Sequence, residues 1–327
     1  MVNSKINNPF VIFLLLIVLA AAGWLALSKT TSHTVEHELK QWLVENNLQD
    51  KLTWQDLAAS PKGTAKLRDV KIHDDEQRIL FTAEELNLNH YKKTSDVFEL
   101  DFTFKKLVDV RNQFFQQHLN EYFADAGLNA PQAIDLSWKI SLDSKAQSAS
   151  FNPMIELPEL MRLGLELRTD SPEVYQQFVA LLNDIKGFEE HGFFNLIPHA
   201  GSIRLNSLVL NIEDKGGMGQ LQQSLKESTL LGESTPELDQ QREELWQLRL
   251  AESRKDCGHD QSFALVIQNQ RLACESLINF MSGQKESIQL KITATHAISL
   301  ENAMLAGMMG LSIERLLAQY EAVVVIE

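Results

Sequence analysis

Two cysteines are the residues of this sequence with the clearest chemistry open to them. Cys257 and Cys274 are the only cysteines among 327 residues, which allows one disulfide but neither a framework of bridges nor a zinc site of four thiolates. In an oxidising compartment the pair predicts a Cys257–Cys274 disulfide that adds about 3 kcal/mol to the free energy of unfolding. The alternatives are two separate buried thiols, or a Cys257 nucleophile beside His259, which no second motif supports.

Histidines and carboxylates come close together at two places in the chain. His33 and His37 are four residues apart, a spacing that lets two ligands share a metal, but the His-Glu-x-x-His motif of zinc enzymes is absent. Asp74-Asp75-Glu76 is an acidic cluster at the end of a strand, where a solvated turn is the more common use. The sequence therefore predicts no metal site and no cofactor.

Motifs of hydrolases and phosphate-binding proteins give no clear indication of an active site. The sequence lacks Gly-x-Ser-x-Gly, His-Glu-x-x-His and a calcium loop, and Ser60 is followed by a lysine two residues later where Ser-x-x-Lys requires three. Gly216-Gly217-Met218-Gly219 lacks the spacing of a phosphate loop, so a turn is predicted there. We predict no catalytic residue and no enzymatic activity, with a hydrolase of dispersed site as the alternative.

Composition favours a folded protein that does not bind nucleic acid. Hydrophobic residues make up 44% and charged residues 23% of the chain, as in ordinary globular proteins. The 44 acidic residues outnumber the 30 basic ones, and the resulting net charge of −14 repels phosphate backbones.

One apolar run near the start of the sequence has the length of a membrane span. Phe10–Leu27 contains no charged residue, and as a helix it would extend roughly 27 Å, close to the hydrocarbon thickness of about 30 Å. The run predicts a transmembrane anchor at 10–27 after a cytoplasmic tail at 1–9, with residues 28–327 outside. A cleaved secretory signal is the alternative.

Alternation of apolar and polar residues predicts most of the remaining chain as strands. Four segments alternate strictly, which is typical of strands with one wet face in an antiparallel sheet. These segments are 98–104, 136–142, 163–167 and 288–294, and less regular strands are predicted at 64–73, 79–89, 203–212 and 322–326.

Helical patterns separate several of these strands. Val35, Leu39 and Leu43 form an apolar stripe that predicts a linker helix within 28–50. Further helices are predicted at 107–123, 172–182, 218–225 and 300–309. A charged helical segment at about 235–280 is predicted to be either a solvated helix or a partner-binding surface.

Residues 52–91 resemble the opening of AsmA-like envelope proteins. The resemblance lies in Leu52–Leu57, in the glycine-containing hairpin of Ser60–Ile72, and in the acidic-Leu-x-Leu phrase Glu85-Leu86-Asn87-Leu88. The later strand and helix units, such as Leu208–Ile212 leading into 218–225, are similar to the YdgA-like group of periplasmic proteins. The resemblance implies an inner-membrane protein of a two-membrane bacterium, with a periplasmic sheet curved into a groove and a role in phospholipid movement or envelope maintenance.

Together these patterns predict an α+β protein in which one amino-terminal transmembrane helix precedes a β-rich periplasmic domain, 51–327, of curved antiparallel sheet with interspersed helices. The predicted function is envelope maintenance, or lipid binding or transfer through an apolar sheet face, without catalysis. The alternative is a structural or assembly factor acting through protein–protein contacts. The predicted partners are membrane lipids and, under the alternative, another envelope protein.

The candidate lipid-facing residues are the apolar members of two predicted strands. They are Phe98, Leu100, Phe102, Phe104, Leu136, Trp138, Ile140 and Leu142. Two arrangements of these side chains are open at this point: an apolar groove only partly covered by the protein's own helices, or a closed core under the helix at 107–123.

Overall fold

The computed structural model of the protein describes residues 32–45, 48–60, 64–74, 76–113, 115–125, 128–169, 204–230, 232–257, 267–299, 317–318 and 320–327. Within these residues the chain forms one sheet of 11 strands and five helices. The strands are β1 (Leu52–Thr53), β2 (Asp56–Ser60), β3 (Thr64–His73), β4 (Ile79–Lys93), β5 (Val97–Asp109), β6 (Ile134–Asp143), β7 (Ser148–Leu157), β8 (Met161–Thr169), β9 (Arg204–Asp214), β10 (Ser287–Ser299) and β11 (Ala322–Ile326). The helices are α1 (Ser32–Glu45), α2 (Gln116–Asp125), α3 (Gly217–Thr229), α4 (Pro236–Cys257) and α5 (Gln270–Met281).

The sheet follows the order of the chain almost without exception. From β3 to β11 each strand pairs with the next one in sequence, and β1 and β2 both pair with β3. All of these pairings between strands are antiparallel. Antiparallel neighbours need no crossover helix, so the helices are free to pack at the two ends of the sheet.

The strand predictions account for eight of the eleven described strands. All eight predicted segments lie within observed strands or extend one residue beyond them, and β1, β2 and β7 are not among the predicted segments. Strand β7 contains Pro153. Proline has no N–H to donate to a ladder. The β7–β8 pairing passes from Phe151 to Met154, so the hydrogen-bond ladder is interrupted where the proline lies.

Helix α1 confirms the amphipathic pattern that follows the apolar run. Val35, Leu39 and Leu43 are buried, and the helix packs against β2.

The helix predicted at 107–123 begins later than expected because β5 extends to Asp109. The Asp109 carboxylate accepts hydrogen bonds from the backbone N–H groups of Phe115 and Gln116, at 3.1 and 3.3 Å, and so caps α2. The helices predicted at 172–182 and 300–309 lie outside the described residues.

The predicted fold class and location need correction. Among the described residues no helix is long and apolar enough to cross a membrane, so a fold headed by a transmembrane helix is wrong, as is the location of a single-pass inner-membrane protein with a periplasmic domain. A span needs about 20 mostly apolar residues. Helix α1 has only 14 residues, and α4, with 22, carries acidic residues in its first turn and basic residues in its last. The predicted anchor, Phe10–Leu27, lies outside the described residues.

The core of the described residues consists of one large cluster and several smaller ones. The large cluster joins α1, α2 and the strands from β1 to β7. At the other end, smaller clusters join Met218 and Phe280 to Ile288 of β10, and Trp246 and Leu250 to Ile278 within the α3–α5 group.

The predicted disulfide is confirmed within this second end. Cys257, the last residue of α4, is bonded to Cys274 in the first half of α5, with the two Cα atoms 5.9 Å apart. The bridge joins two helices that also pack side by side.

Candidate functional site

Three rows of apolar side chains cross the sheet at right angles to its strands. Each row consists of residues that lie directly opposite one another on successive strands, where cross-strand neighbours are about 5 Å apart. The first row is Tyr91, Leu100, Ile140, Phe151, Leu167, Leu208, Ile292 and Val324. The third row is Leu86, Phe104, Leu136, Ile155, Leu163, Ile212 and Ile288.

The middle row lies between these two rows. Its members are Leu88, Phe102, Trp138 and Pro153, followed after the break in the β7–β8 ladder by Leu165, Leu210, Leu290 and Ile326. None of the side chains in the three rows is charged. We call the surface that they form the apolar face.

Burial along the apolar face is uneven. At β4 and β5 the side chains are closed off, with Leu86, Leu100 and Phe102 no more than 2% exposed. From β6 to β9 most members of the rows are only half-buried: Leu136, Trp138, Phe151, Pro153, Ile155, Leu163, Leu165, Leu167, Leu208, Leu210 and Ile212. We call these residues the half-buried section.

The described helices and core clusters cover parts of the sheet. Helix α1 contacts β2, and α5 contacts β10 and β11. Helices α3 and α4 pack with α5, and Met218 of α3 and Phe280 of α5 pack on the apolar face with Ile288, Ile212 and Ile326. Within the half-buried section, Leu136, Trp138, Phe151 and Ile155 pack against the large core cluster, and Ile212 packs against Met218 and Phe280.

The opposite face of the same strands is charged and internally paired. Arg162 on β8 donates hydrogen bonds to Glu156 on β7 and Glu213 on β9, at 2.7 and 3.0 Å, and the Glu156 bond raises the pKa of the Arg162 guanidinium. On β6, Lys139 lies 3.3 Å from Asp101 of β5. This sheet therefore separates a wet face from an apolar one, as the alternation predicts.

Trp138 marks the boundary between the closed and the half-buried parts of the middle row. Its ring stacks on Phe102, with centroids 6.4 Å apart and planes 28° apart. Tyr91, on β4, is the first member of the first row. Burial raises the pKa of its hydroxyl to about 12, so the side chain is neutral at ordinary pH.

The eight lipid-facing candidates differ in burial. Six are at most 3% exposed and lie in the large core cluster: Phe98, Leu100, Phe102, Phe104, Ile140 and Leu142. Only Leu136 and Trp138 are half-buried. For β5 and most of β6 the structure therefore has the closed core, which includes Phe123 of α2 and the apolar stripe of α1.

The half-buried leucines of β8 and β9 were not among the site residues predicted from the sequence. Their alternation was visible at 163–167 and 203–212, but nothing in the sequence aligns Leu163, Leu165 and Leu167 with Ile212, Leu210 and Leu208. Strand register creates this alignment.

The carboxylates and histidines that the sequence brings close together do not form a metal site within the described residues. Asp74 folds into a turn, where its carboxylate accepts hydrogen bonds from the N–H groups of Glu76 and Arg78. His33 and His37 are both exposed on α1. Within the described residues no group of three or more His, Cys, Asp or Glu side chains is placed to hold a metal ion.

Comparison with known proteins adds no identification. No protein-family model matches the chain, and no curated protein is significantly similar to it. The AsmA-like resemblance of residues 52–91 accordingly stays a prediction, and the function has to be inferred from the chain's own geometry.

Proposed function

We propose that this protein is a non-enzymatic lipid-binding protein that holds an acyl chain on the half-buried section of its apolar face. The observation that carries the proposal is the change in burial along the rows, which are closed at β4 and β5 and half-buried from β6 to β9. Apolar side chains that stay partly exposed leave apolar surface for a ligand to cover.

The chemistry of the half-buried section favours an acyl chain over a polar ligand. Its eleven side chains are aliphatic, aromatic or proline, and only the indole N–H of Trp138 is polar. A peptide or sugar would leave its own polar groups without partners there, which is costly. An acyl chain needs no hydrogen bonds and gains about 0.8 kcal/mol for each methylene that leaves water.

Two neighbouring residues on β9 provide a matched test of this proposal. Leu210 lies on the apolar face and Val209 on the opposite face, and both are half-buried. Leu210→Glu should weaken binding of cis-parinaric acid, a fluorescent fatty acid, by at least about tenfold. The bound acyl chain would cover the introduced side-chain carboxylate, which would then have no hydrogen-bond partner. Val209→Glu should bind as the wild type does.

The uncharged variants Leu210→Gln and Val209→Gln show whether a loss of binding in the glutamate variants results from unfolding caused by the charge. Thermal unfolding of each variant, followed by circular dichroism, reports on the fold separately from binding. Equal binding by the folded Leu210 and Val209 variants would contradict the proposal, as would a wild-type protein that does not bind the probe.

A second candidate function, docking of a protein partner, is favoured by the outer surface of α4. Leu248 is 64% exposed there and lines a surface hollow of about 570 Å³ together with Leu245, Ala251 and Lys255. A photocrosslinking amino acid at Leu248 should then yield one discrete adduct in cells, whereas the same group at Tyr122, exposed on α2, should not.

A further inference from the structure

The half-buried section is closed at both ends of its rows. On the β5 side the rows meet Leu100, Phe102 and Phe104, which are no more than 2% exposed. On the other side, the members of the rows on β10 and β11 pack in core clusters with buried Val324 and Ile288. A ligand therefore reaches the section through its face, because the packed side chains at either end block entry along the rows.

Six side chains at the centre of the section belong to none of the core clusters that the described residues form. The clusters border them on the β6 side through Trp138 and Phe151, and on the β9 side through Ile212. All six are half-buried and lie on β7, β8 or β9. We call them the central patch, which consists of Pro153, Leu163, Leu165, Leu167, Leu208 and Leu210.

The three rows give the central patch a ridged surface. Side chains that follow one another on one face of a strand are two residues or about 6.8 Å apart, whereas neighbours in a row are about 4.8 Å apart. Side chains therefore lie closer within a row than between rows, so each row is a ridge with a trough beside it. On β8 the ridges pass through Leu163, Leu165 and Leu167, each with a partner directly opposite on β9. Three ridges enclose two parallel troughs.

Each trough has the dimensions of one extended acyl chain. From β6 to β9 it crosses three strand spacings, or roughly 14 Å. An extended hydrocarbon, with carbon–carbon bonds of about 1.52 Å and angles near 111°, advances about 1.25 Å per carbon. About 12 carbons therefore lie in each trough, and the two troughs are one row spacing, about 6.8 Å, apart.

We propose that the two troughs hold two acyl chains side by side, so that the ligand is a lipid with two chains. The inference rests on the proposed function above. A lipid with one chain would fill one trough and leave the other exposed to water. The second chain of a two-chain lipid covers that trough without a second loss of translational freedom, and the head group stays in water on the open side of the face.

The binding stoichiometry of the wild-type chain distinguishes two troughs from one. In equilibrium dialysis, below the concentration at which each lipid aggregates, radiolabelled dodecanoic acid should saturate at two molecules per chain. Dilauroylphosphatidylcholine should bind as one molecule and displace both fatty acids. Lauroyl-lysophosphatidylcholine has the same head group and one chain, and should bind at least about tenfold more weakly, because each methylene contributes up to about fourfold in affinity.

A tryptophan in an outer ridge should close one trough. Leu167→Trp enlarges the first row and Leu163→Trp the third, and each variant should bind one molecule of dodecanoic acid where the wild type binds two. Val209→Trp, on the opposite face of β9, is the control and should still bind two. Thermal unfolding followed by circular dichroism reports on the fold of each variant, and Leu208→Phe is a smaller change in the first row for the case that Leu167→Trp does not fold.

The outcomes separate the two troughs from acyl binding itself. A wild-type stoichiometry of one fatty acid overturns the two troughs while leaving acyl binding intact, and so does a lysolipid that binds as tightly as the two-chain lipid. A stoichiometry that stays at two in the folded Leu167 and Leu163 variants overturns the location of the troughs. If the wild-type chain binds none of the three lipids, both proposals fail.

Discussion

Asp74 shows how a residue with catalytic potential is used to build a turn. Its side chain is 2% exposed and accepts hydrogen bonds from the backbone N–H of Glu76, at 2.9 Å, and from the N–H and Nε of Arg78, at 2.8 and 2.7 Å. Burial alone would raise the pKa of the Asp74 carboxyl, but these hydrogen bonds and the Arg78 charge together lower it. The acidic cluster is therefore a structural turn between β3 and β4.

Replacing Asp74 by asparagine should destabilise the protein in a pH-dependent way. The folded-state pKa lies below the unfolded value of about 3.9, so the stabilisation is complete above that pH and is lost as the pH falls through the folded-state pKa. Asp74→Asn should lower the free energy of unfolding by about 1–3 kcal/mol at pH 7, and less at pH 3.

Urea unfolding of both proteins at several pH values measures this difference. Asp56→Asn is the control, because the Asp56 side chain is 58% exposed and lies 3.6 Å from Arg68, so the loss should stay below about 1 kcal/mol. A destabilisation by Asp74→Asn that is the same at pH 3 and pH 7 would show that the carboxylate charge is not involved.

At the scale of elements, the start of α3 explains the glycine cluster. Gly216 has a φ of 116°, which favours glycine, and the N–H of Gly217 donates to the carbonyl oxygen of Leu160 at 2.9 Å. The Asp214 carboxylate accepts hydrogen bonds from the N–H groups of Gly216 and Met218. Gly216 lies in the bend before α3, whereas Gly217, Met218 and Gly219 already belong to the helix, so the predicted turn is shorter than the glycine cluster. This bend fixes the start of α3 against the β7–β8 hairpin.

Alanine substitutions at Gly217 and Gly219 should have opposite effects on stability. A Cβ at Gly217 would lie 2.7 Å from the Leu160 carbonyl oxygen, whereas a Cβ at Gly219 meets no atom within 4 Å. Gly217→Ala should destabilise the protein by about 1–3 kcal/mol, and Gly219→Ala should stabilise it by up to about 1 kcal/mol because alanine favours the helix. Thermal unfolding checks both, and equal melting temperatures would contradict the close approach.

At the scale of the whole molecule, the sheet has a closed core at one end and a half-buried surface in the middle. Leu100 and Leu167 belong to the same row, but Leu100 is 1% exposed and Leu167 is half-buried. Leu100→Ala should therefore lower the free energy of unfolding by about 3–5 kcal/mol, and Leu167→Ala by less than about 2 kcal/mol. Denaturant unfolding of the two variants measures the difference, and equal losses would mean that Leu167 also lies in a closed core.

Much of the secondary structure was predictable, because it depends on local patterns. The alternation at 136–142 and the apolar stripe of α1 each predict an element that the structure contains. Two of the differences depend on contacts that form only in the folded protein. Pro153 is tolerated in β7 because the β7–β8 ladder is interrupted there. Helix α2 begins later than predicted because the Asp109 carboxylate caps it at Phe115 and Gln116. Of the eight candidate site residues, only Leu136 and Trp138 belong to the half-buried section.

Alternation within a strand determines which side chains share a face, so the wet and apolar faces were readable from residues such as Leu163 and Glu166 alone. Because the sequence contains two cysteines, it allows one intrachain disulfide, between Cys257 and Cys274, and this is the disulfide that forms. Tertiary structure decided the rest. The hydrogen-bond ladders between strands set the register that places Phe151, Leu167 and Leu208 in one row, and packing at the two ends of the sheet determined which part of that row is closed. Register and packing depend on contacts between distant segments, and for that reason the half-buried section could not be located from the sequence.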